Sequence, residues 1–254
     1  MGAVHVHKLY RHGHTPVHRL PAHVKLVTLL AFVIVVVATP REAFWAFGVY
    51  AALLAAVAVL ARVPLRFIVT RMVVEVPFVV FALLLPFLAA GDRVDVLGLS
   101  LSVEGMLAGW NIIAKGTLGV VASILLAATT DARSLLLALQ RLRVPPVLVE
   151  ITSFMVRYAD VITDEMRRMK IARESRGFTG GTRKQLGVVA TSAGALFIRS
   201  YERGERVHLA MLSRGYGGSL PVLEVQHAQA VQWVAAAALP ATAFAVSITA
   251  WVTV

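Results

Sequence analysis

Five long runs of mostly apolar residues dominate the pattern along this chain. They cover about residues 24–39, 43–61, 72–90, 105–129 and 231–254. A helix needs roughly 20 mostly apolar residues to span a bilayer, and backbone groups inside the bilayer must be satisfied within the helix. No ten-residue alternation typical of a membrane barrel is present. The pattern therefore predicts five spanning helices, the first of them somewhat short.

The segment between the fourth and fifth runs has a different pattern. Asp131 can cap a first helix that ends before Pro145-Pro146. Two longer stretches then place apolar side chains on one face, with a spacing close to 3.6 residues. The predicted helices cover about residues 131–142, 147–175 and 183–213.

These patterns predict an all-α polytopic membrane protein with about five spanning helices and long amphipathic helices on one side of the membrane. The predicted domains are a basic, His-rich tail (1–23), a membrane domain with four spans (24–130), a helical region outside the membrane (131–225) and a C-terminal spanning helix (226–254).

Composition supports a membrane location. The chain has 254 residues, of which 58% are hydrophobic and only 15% are charged, whereas a soluble domain carries about 25% charged residues. This disfavours a soluble enzyme and a disordered protein. The net charge of +11 would suit a nucleic-acid partner, but its distribution indicates topology instead, so no nucleic acid is expected.

The basic residues predict the orientation, because cytoplasmic loops carry an excess of Lys and Arg. Fifteen of them lie between Asp131 and Glu224, and the opposite loops hold only Arg41 and Arg93, each beside an acid. Others precede the first run or separate the second from the third: Lys8, Arg11, Arg19, Lys25, Arg62, Arg66 and Arg71. The N-terminus and the 131–225 region are therefore predicted to be cytoplasmic, and the C-terminus to lie outside the cell.

Both long helices end in the same pattern, Ala-x-x-Ser-Arg-Gly-aromatic, repeated 38 residues apart. The residues are Ala172, Ser175, Arg176, Gly177 and Phe178, and then Ala210, Ser213, Arg214, Gly215 and Tyr216. Arg and Gly suit a helix C-terminus, but a simple terminus explains neither the shared Ser nor the aromatic residue. An Arg at a helix tip can bind a carboxylate or backbone carbonyls of a docked protein, and paired tips fit a symmetric partner.

With these tips, the sequence resembles the transmembrane T component (EcfT/CbiQ-like) of energy-coupling factor transporters, from Pro21 to about Gly217. Glu165 upstream of the first tip, Arg157-Tyr158 and Thr129-Thr130 support the resemblance. This family consists of ABC-class importers of vitamins and metal ions. The resemblance implies that Ser175-Arg176-Gly177 contacts one ABC-type ATPase subunit and that Ser213-Arg214-Gly215 contacts another.

The resemblance further implies a small membrane substrate-binding S component as a partner, and a supporting role for Ala172, Ala210, Glu165 and Arg157. Family tips often carry Ala where this chain has Ser. A non-catalytic subunit without cofactors follows, because ATP is hydrolysed by the partners. Two alternatives stay open. One is an interfacial membrane enzyme that uses Arg176, Arg214 and His208 on an anionic lipid, and the other is an ordinary ABC permease.

Other candidate sites are weaker. Glu75 and Lys115 lie within predicted spans, where charge is expensive, and they could pair with each other or face a partner subunit. Lys184 follows a glycine-rich turn but lacks the Ser or Thr of a phosphate loop. The N-terminal stretch holds His5, His7, His12, His14, His18 and His23, which we interpret as a basic tail rather than a metal site.

Overall fold

The computed structural model describes residues 10–90, 92–96, 99–178, 182–218 and 228–253. Its elements are α1 Pro16–Arg19, α2 Ala22–Ala38, α3 Phe44–Leu60, α4 Leu65–Arg71, α5 Val76–Leu88, β1 Arg93–Val96, β2 Leu99–Ser102, α6 Val103–Thr129, α7 Ala132–Arg141, α8 Pro146–Ser175, α9 Thr182–Leu212 and α10 Ala230–Thr253. The all-α prediction is confirmed, apart from the short antiparallel hairpin β1–β2 that joins α5 to α6.

The chain forms two compact units. The membrane unit comprises Leu9–Ala138 with Gln226–Val254, and the second unit contains Leu139–Val225. The membrane unit holds α2 to α6 and α10, and the second unit holds α8 and α9. The two units divide within α7.

Among the described residues of the membrane unit, three helical segments are long and apolar enough to cross a membrane: Leu65–Leu88, Val103–Thr129 and Ala230–Thr253. The apolar helices α2 and α3 have 17 residues each, about 25 Å at 1.5 Å per residue, which is near the lower limit for a span. The third predicted span begins too late, because helix continues from Leu65 through a 3-10 turn at Met72–Glu75 into α5. Arg66 and Arg71 are therefore helical rather than loop residues.

Aromatic and small side chains fill the core of the membrane unit. The ring of Tyr50 packs edge-to-face against Phe32 and Phe47, with centroids 5.9 and 6.2 Å away. The Tyr50 hydroxyl lies 2.9 Å from Oγ1 of Thr39, which also bonds Ser247 of α10 at 3.2 Å. All five side chains are buried. A hydrogen-bonded cluster therefore joins α2, α3 and α10.

Helices α5 and α6 approach each other at two glycines. A Cβ atom on Gly109 would lie 2.6 Å from the carbonyl oxygen of Ala82, and one on Gly105 would lie 2.6 Å from that of Leu85. Small residues permit such close helix contact in membranes. This contact fixes α6 against the helix that precedes the hairpin.

Side chains from neighbouring helices complete the C-terminus of α2. The last carbonyls of a helix have no partner within it. The backbone amide of Thr39 donates to the carbonyl oxygens of Val35 and Val36. The next two carbonyl oxygens accept from side chains: that of Val37 from Nζ of Lys115 at 2.8 Å, and that of Ala38 from Nε1 of Trp251 at 3.2 Å. The short helix α2 can therefore end against its neighbours.

A second lysine lies at the other end of α2 and bonds the C-terminus of α6. Nζ of Lys25, in the first turn of α2, donates to the carbonyl oxygen of Thr129 at 2.8 Å, to that of His18 at 3.2 Å and to Oγ1 of Thr130 at 3.5 Å. Helices α2 and α6 thus run antiparallel, and each contributes a lysine to the C-terminus of the other.

Helices α2 and α10 run in the same direction. His23 and Trp233 lie near their starts, with ring centroids 5.8 Å apart, and Trp251 reaches Ala38 near their ends. The start of α2 and the end of α10 are therefore at opposite faces of the membrane unit.

The matched tips of two long helices

Helix α8 ends in a glycine-based cap. The amide of Arg176 donates to Arg173 O at 3.2 Å, and that of Gly177 donates to Glu174 O at 3.0 Å. The amide of Phe178 reaches back to Arg173 O at 3.3 Å. A bond from the second residue beyond the cap to a carbonyl five positions earlier defines the Schellman motif.

Helix α9 ends with the same bonds, shifted by 38 residues. The amides of Arg214 and Tyr216 both donate to Met211 O at 3.0 Å, and that of Gly215 donates to Leu212 O at 3.0 Å. The sequence repeat is therefore also a structural repeat, because both caps contain the same backbone hydrogen bonds.

The glycines are required by backbone conformation rather than by crowding. Gly177 has φ of +73° and Gly215 has φ of +81°, in the left-handed region that a Cβ disfavours. A Cβ built on either glycine would meet nothing within 4 Å. The open space leaves both tips accessible.

The shared serines also have a local function. Oγ of Ser175 donates to Ala172 O at 3.1 Å, and Oγ of Ser213 donates to Ala210 O at 3.1 Å. Each hydroxyl thus satisfies a carbonyl of the last turn, a group that lacks a full set of helical partners. This contact makes the shared serine part of the cap.

The two arginines of the repeat stay exposed. The side chains of Arg176 and Arg214 make no hydrogen bond or ion pair with any residue that the structure describes. Each tip therefore presents a guanidinium group whose five donors can bind a carboxylate or carbonyl oxygens of another protein.

The two tips lie at opposite ends of an antiparallel helix pair. Near the end of α8, Nη1 of Arg173 donates to Oγ of Ser192 at 3.0 Å, and near its start Glu150 accepts from Tyr216. Since α8 has 30 residues, the tips are separated by a distance on the order of 45 Å. They can contact two binding sites at once but cannot converge on one small ligand.

Sequence comparison places this repeat in a known family. Residues 13–223 match the family described as CbiQ, cobalt transport protein. The chain belongs to the CbiQ family. The match covers both tips and most of the membrane unit, and the family is one of transporter membrane components.

Two relatives of this CbiQ-family chain are named as transporter membrane proteins. It is 27% identical to the cobalt transport protein CbiQ of Rhodobacter capsulatus over 168 residues, 66% of this chain and 67% of that one. It is 28% identical to the energy-coupling factor transporter transmembrane protein EcfT of Staphylococcus aureus over 221 residues, 80% of this chain and 81% of that one.

A further relative is an uncharacterized protein of Methanocaldococcus jannaschii, 29% identical over 144 residues, which are 56% of this chain and 54% of that protein. A second protein of that organism is 29% identical over 177 residues, 64% of this chain and 59% of that protein. The chain thus spans between half and three fifths of the length of these two relatives.

In this CbiQ-family chain, Glu165 ties the two long helices together. Its carboxylate accepts from Arg199 at 3.1 Å and from Arg203 at 3.2 Å, and its side chain is only 12% exposed. The hydrogen bond from Arg199 is the main reason why the pKa of Glu165 lies below its ordinary value. Neither arginine was predicted as a site residue, although their i, i+4 spacing places them on one helix face.

The other supporting residues are exposed. Ala172 and Ala210 contribute the carbonyls that accept from the serines. The guanidinium of Arg157 makes no hydrogen bond or ion pair within the described ranges. The structure therefore places these three residues at or along α8 and α9 without bringing them into one cluster.

Glu75 and Lys115 do not pair. Glu75 is 3% exposed and accepts from Oγ1 of Thr117 at 2.6 Å, while Lys115 bonds Val37. In this structure the two charges do not neutralise each other, because Glu75 bonds Thr117 of α6 whereas Lys115 of α6 bonds the end of α2.

A groove runs between α8 and α9 in the half that is nearer to the second tip. Its volume is about 370 Å³, and the rings of Phe154 and Tyr158 stack along it with centroids 6.3 Å apart. Small residues of α9, Ser200 and Gly204, leave room for it, and His208 also contributes to the lining. Arg176 lies at the far end of the helix pair from this groove.

The N-terminal histidines hold no metal cluster in the described part of the chain. His5 and His7 lie outside the described residues, and no group of three metal-ligating side chains occurs among those described. His18 lies 2.7 Å from Oγ1 of Thr15 and 3.0 Å from Arg11 O, and its burial lowers its pKa. The turn before Lys184, at residues 179–181, also lies outside the described residues.

Proposed function

We propose that this chain is the energy-coupling membrane subunit of an ABC-type importer, and that its two Arg-Gly tips dock onto two ATPase subunits. A separate small membrane S component would bind the transported vitamin or metal ion. The observation that carries the proposal is the matched pair of caps, each ending in an exposed arginine. Two equivalent tips suit two equivalent grooves on an ATPase dimer.

The chemistry of the tips fits docking. Arg176 and Arg214 each follow the last turn of a helix, where a cation complements the helix dipole. A partner carboxylate can then bind the guanidinium through two parallel hydrogen bonds. ATP-driven closure of the partners would move the tips, and the bonds of Glu165 to Arg199 and Arg203 would make α8 and α9 move together.

Exposed apolar side chains favour a protein or lipid partner along the same helices. Met155, Met166, Leu186, Phe197 and Tyr201 are each more than half exposed. Large apolar side chains exposed in number favour an interaction site. We assign it to the S component and the bilayer, which would cover α8 and α9 in the assembled transporter.

The enzyme alternative has less support. It requires Arg176, Arg214 and His208 to act on one anionic lipid, and the two arginines lie at opposite ends of the helix pair. An ordinary permease would couple through one short loop, which offers no reason for the repeated cap.

The test is co-purification of ABC-type ATPase subunits with the chain and its variants. Arg176→Ala with Arg214→Ala should abolish ATPase retention while membrane insertion is unchanged. Arg206→Ala is the matched control, since Arg206 is an exposed arginine of α9 whose ion pair with Glu202 is also exposed. Retention of the ATPases by the double variant would refute the docking proposal.

A further inference from the structure

The two tips share a cap but differ in the contact that follows it. The hydroxyl of Tyr216, directly after Gly215, donates to the carboxylate of Glu150 in the first turns of α8. The corresponding residue of the first tip is Phe178, which has no hydroxyl. The second tip is therefore tied to the other helix at a point where the first tip has no such group.

The first tip has a different tie. Arg173, inside the last turn of α8, donates to Ser192 of α9. The equivalent position in α9 is Met211, which has no comparable donor. The tie of the first tip thus precedes its cap, whereas that of the second tip follows its cap.

The position of Glu150 gives the second tie a mechanical consequence. Glu150 lies four residues after Pro146, where α8 begins, and Val149 beside it is buried. The first tip is the opposite end of the same helix. Helix α8 is therefore connected to Arg176 through its own C-terminus and to Arg214 through Tyr216 at its start.

The bond has the character of a persistent contact. The carboxylate is a charged acceptor, and such bonds are stronger than neutral ones. Donation to Glu150 is also the main cause that raises the pKa of Tyr216 above its ordinary value. Tyr216 and Glu150 are both half-buried, which limits competition from water.

We propose that the Glu150–Tyr216 bond is a transmission link, through which movement of the second ATPase-docking tip is passed to the N-terminal end of α8. The inference rests on the proposed docking function. Glu150 and Tyr216 are positioning residues in this scheme, since neither is required to touch an ATPase. Helix α8 then receives motion from both ATPase subunits, one at each end.

The test follows nucleotide-dependent motion at both ends of α8, in the complex with the ATPase subunits that co-purify with the chain. The chain has no cysteine, so single cysteines at Val147 and Ile171, both exposed, can each carry a nitroxide label. ATP should change the spectrum of both labels in the parent chain. Because α8 is also connected to the first tip and to α9 through Glu165, Tyr216→Phe should reduce the change at residue 147 and leave the change at residue 171 at its parent size.

Controls separate transmission from folding. Phe178→Tyr should change neither signal, because it adds a hydroxyl at the first tip and leaves the Glu150–Tyr216 bond intact. Glu150→Gln keeps a neutral acceptor and should retain more of the signal at residue 147 than Glu150→Ala does. ATPase retention should be unchanged in Tyr216→Phe, whereas Arg214→Ala should reduce it.

The outcomes distinguish the two proposals. A signal at residue 147 that keeps its parent size in Tyr216→Phe, or that is missing in the parent chain, overturns the transmission link. ATPase retention that survives loss of both tip arginines overturns the docking function instead.

Discussion

Lys115 donates from Nζ to the carbonyl oxygen of Val37 at 2.8 Å, so a lysine within one spanning helix completes the C-terminus of another. Charge inside a membrane segment is expensive unless it has a partner. Here the partner is the negative end of a helix dipole. The structure thereby assigns Lys115 a structural role.

Replacing Lys115 should destabilise the membrane unit. Lys115→Met leaves the Val37 carbonyl without its donor in a segment that the bilayer shields from water, and an unsatisfied acceptor away from water costs about 1–3 kcal/mol. Thermal unfolding in detergent measures the effect. Lys170→Met is the control, because Lys170 forms an exposed pair with Glu174, a kind of pair that contributes about 0–1 kcal/mol. Equal stability of the two variants would contradict the assignment.

The sequence predicts the elements of this fold better than their contacts. Apolar runs placed α6 and α10, and helical spacing of apolar residues placed α8 and α9, all within about two residues of their ends, because these patterns are long and uninterrupted. The same pattern predicted the third span from residue 72, since Arg66 and Arg71 look like loop charges. It also missed β1–β2, which is too short to show a period of two.

The same contrast holds for the candidate site: the chemistry within one helix was predictable from the sequence, and the contacts between helices were not. The repeat identified the tips because cap chemistry is local: Ser, Arg and Gly act within one turn of their own helix. Partners that come from another helix were not predictable, since nothing local links Glu165 to Arg199 or Tyr216 to Glu150. For the same reason, Glu75 and Lys115 could be named as unusual but their partners Thr117 and Val37 could not.

Alanine at Gly109 should disrupt the contact between α5 and α6. The added Cβ would lie 2.6 Å from the backbone oxygen of Ala82, and overpacking of this kind costs about 1–3 kcal/mol. Gly119→Ala is the matched control on the same helix, because a Cβ there meets nothing within 4 Å. Alanine also has the higher helix propensity, by about 1 kcal/mol. Thermal unfolding should therefore show Gly109→Ala destabilised and Gly119→Ala stabilised relative to the parent chain. A Gly109→Ala protein as stable as the parent would argue against the close contact.

The tie at Glu165 should depend on pH. Its folded pKa is below the ordinary value of 4.5, so the unfolded state binds a proton first as pH falls. The stabilisation is fully present well above pH 4.5 and is lost as pH falls through the lower folded pKa. Unfolding of the parent chain and of Glu165→Gln, followed from pH 7 downward, should therefore converge in acid. A stability difference that stays constant with pH would mean that the carboxylate charge contributes nothing.

The two ends of the chain should lie on opposite sides of the membrane. Helices α2 and α10 are parallel, as the contacts of His23 with Trp233 and of Trp251 with Ala38 show. The excess of Lys and Arg around the start of α2 predicts that this side is cytoplasmic. In intact cells, a tag before residue 10 should be protected from an impermeant reagent, whereas a tag after residue 254 should react.

A single cysteine at Leu212, at the second tip, should be protected like the N-terminal tag, because ATPase docking requires a cytoplasmic tip. Labelling of Leu212→Cys from outside would exclude both the orientation and the docking that depends on it.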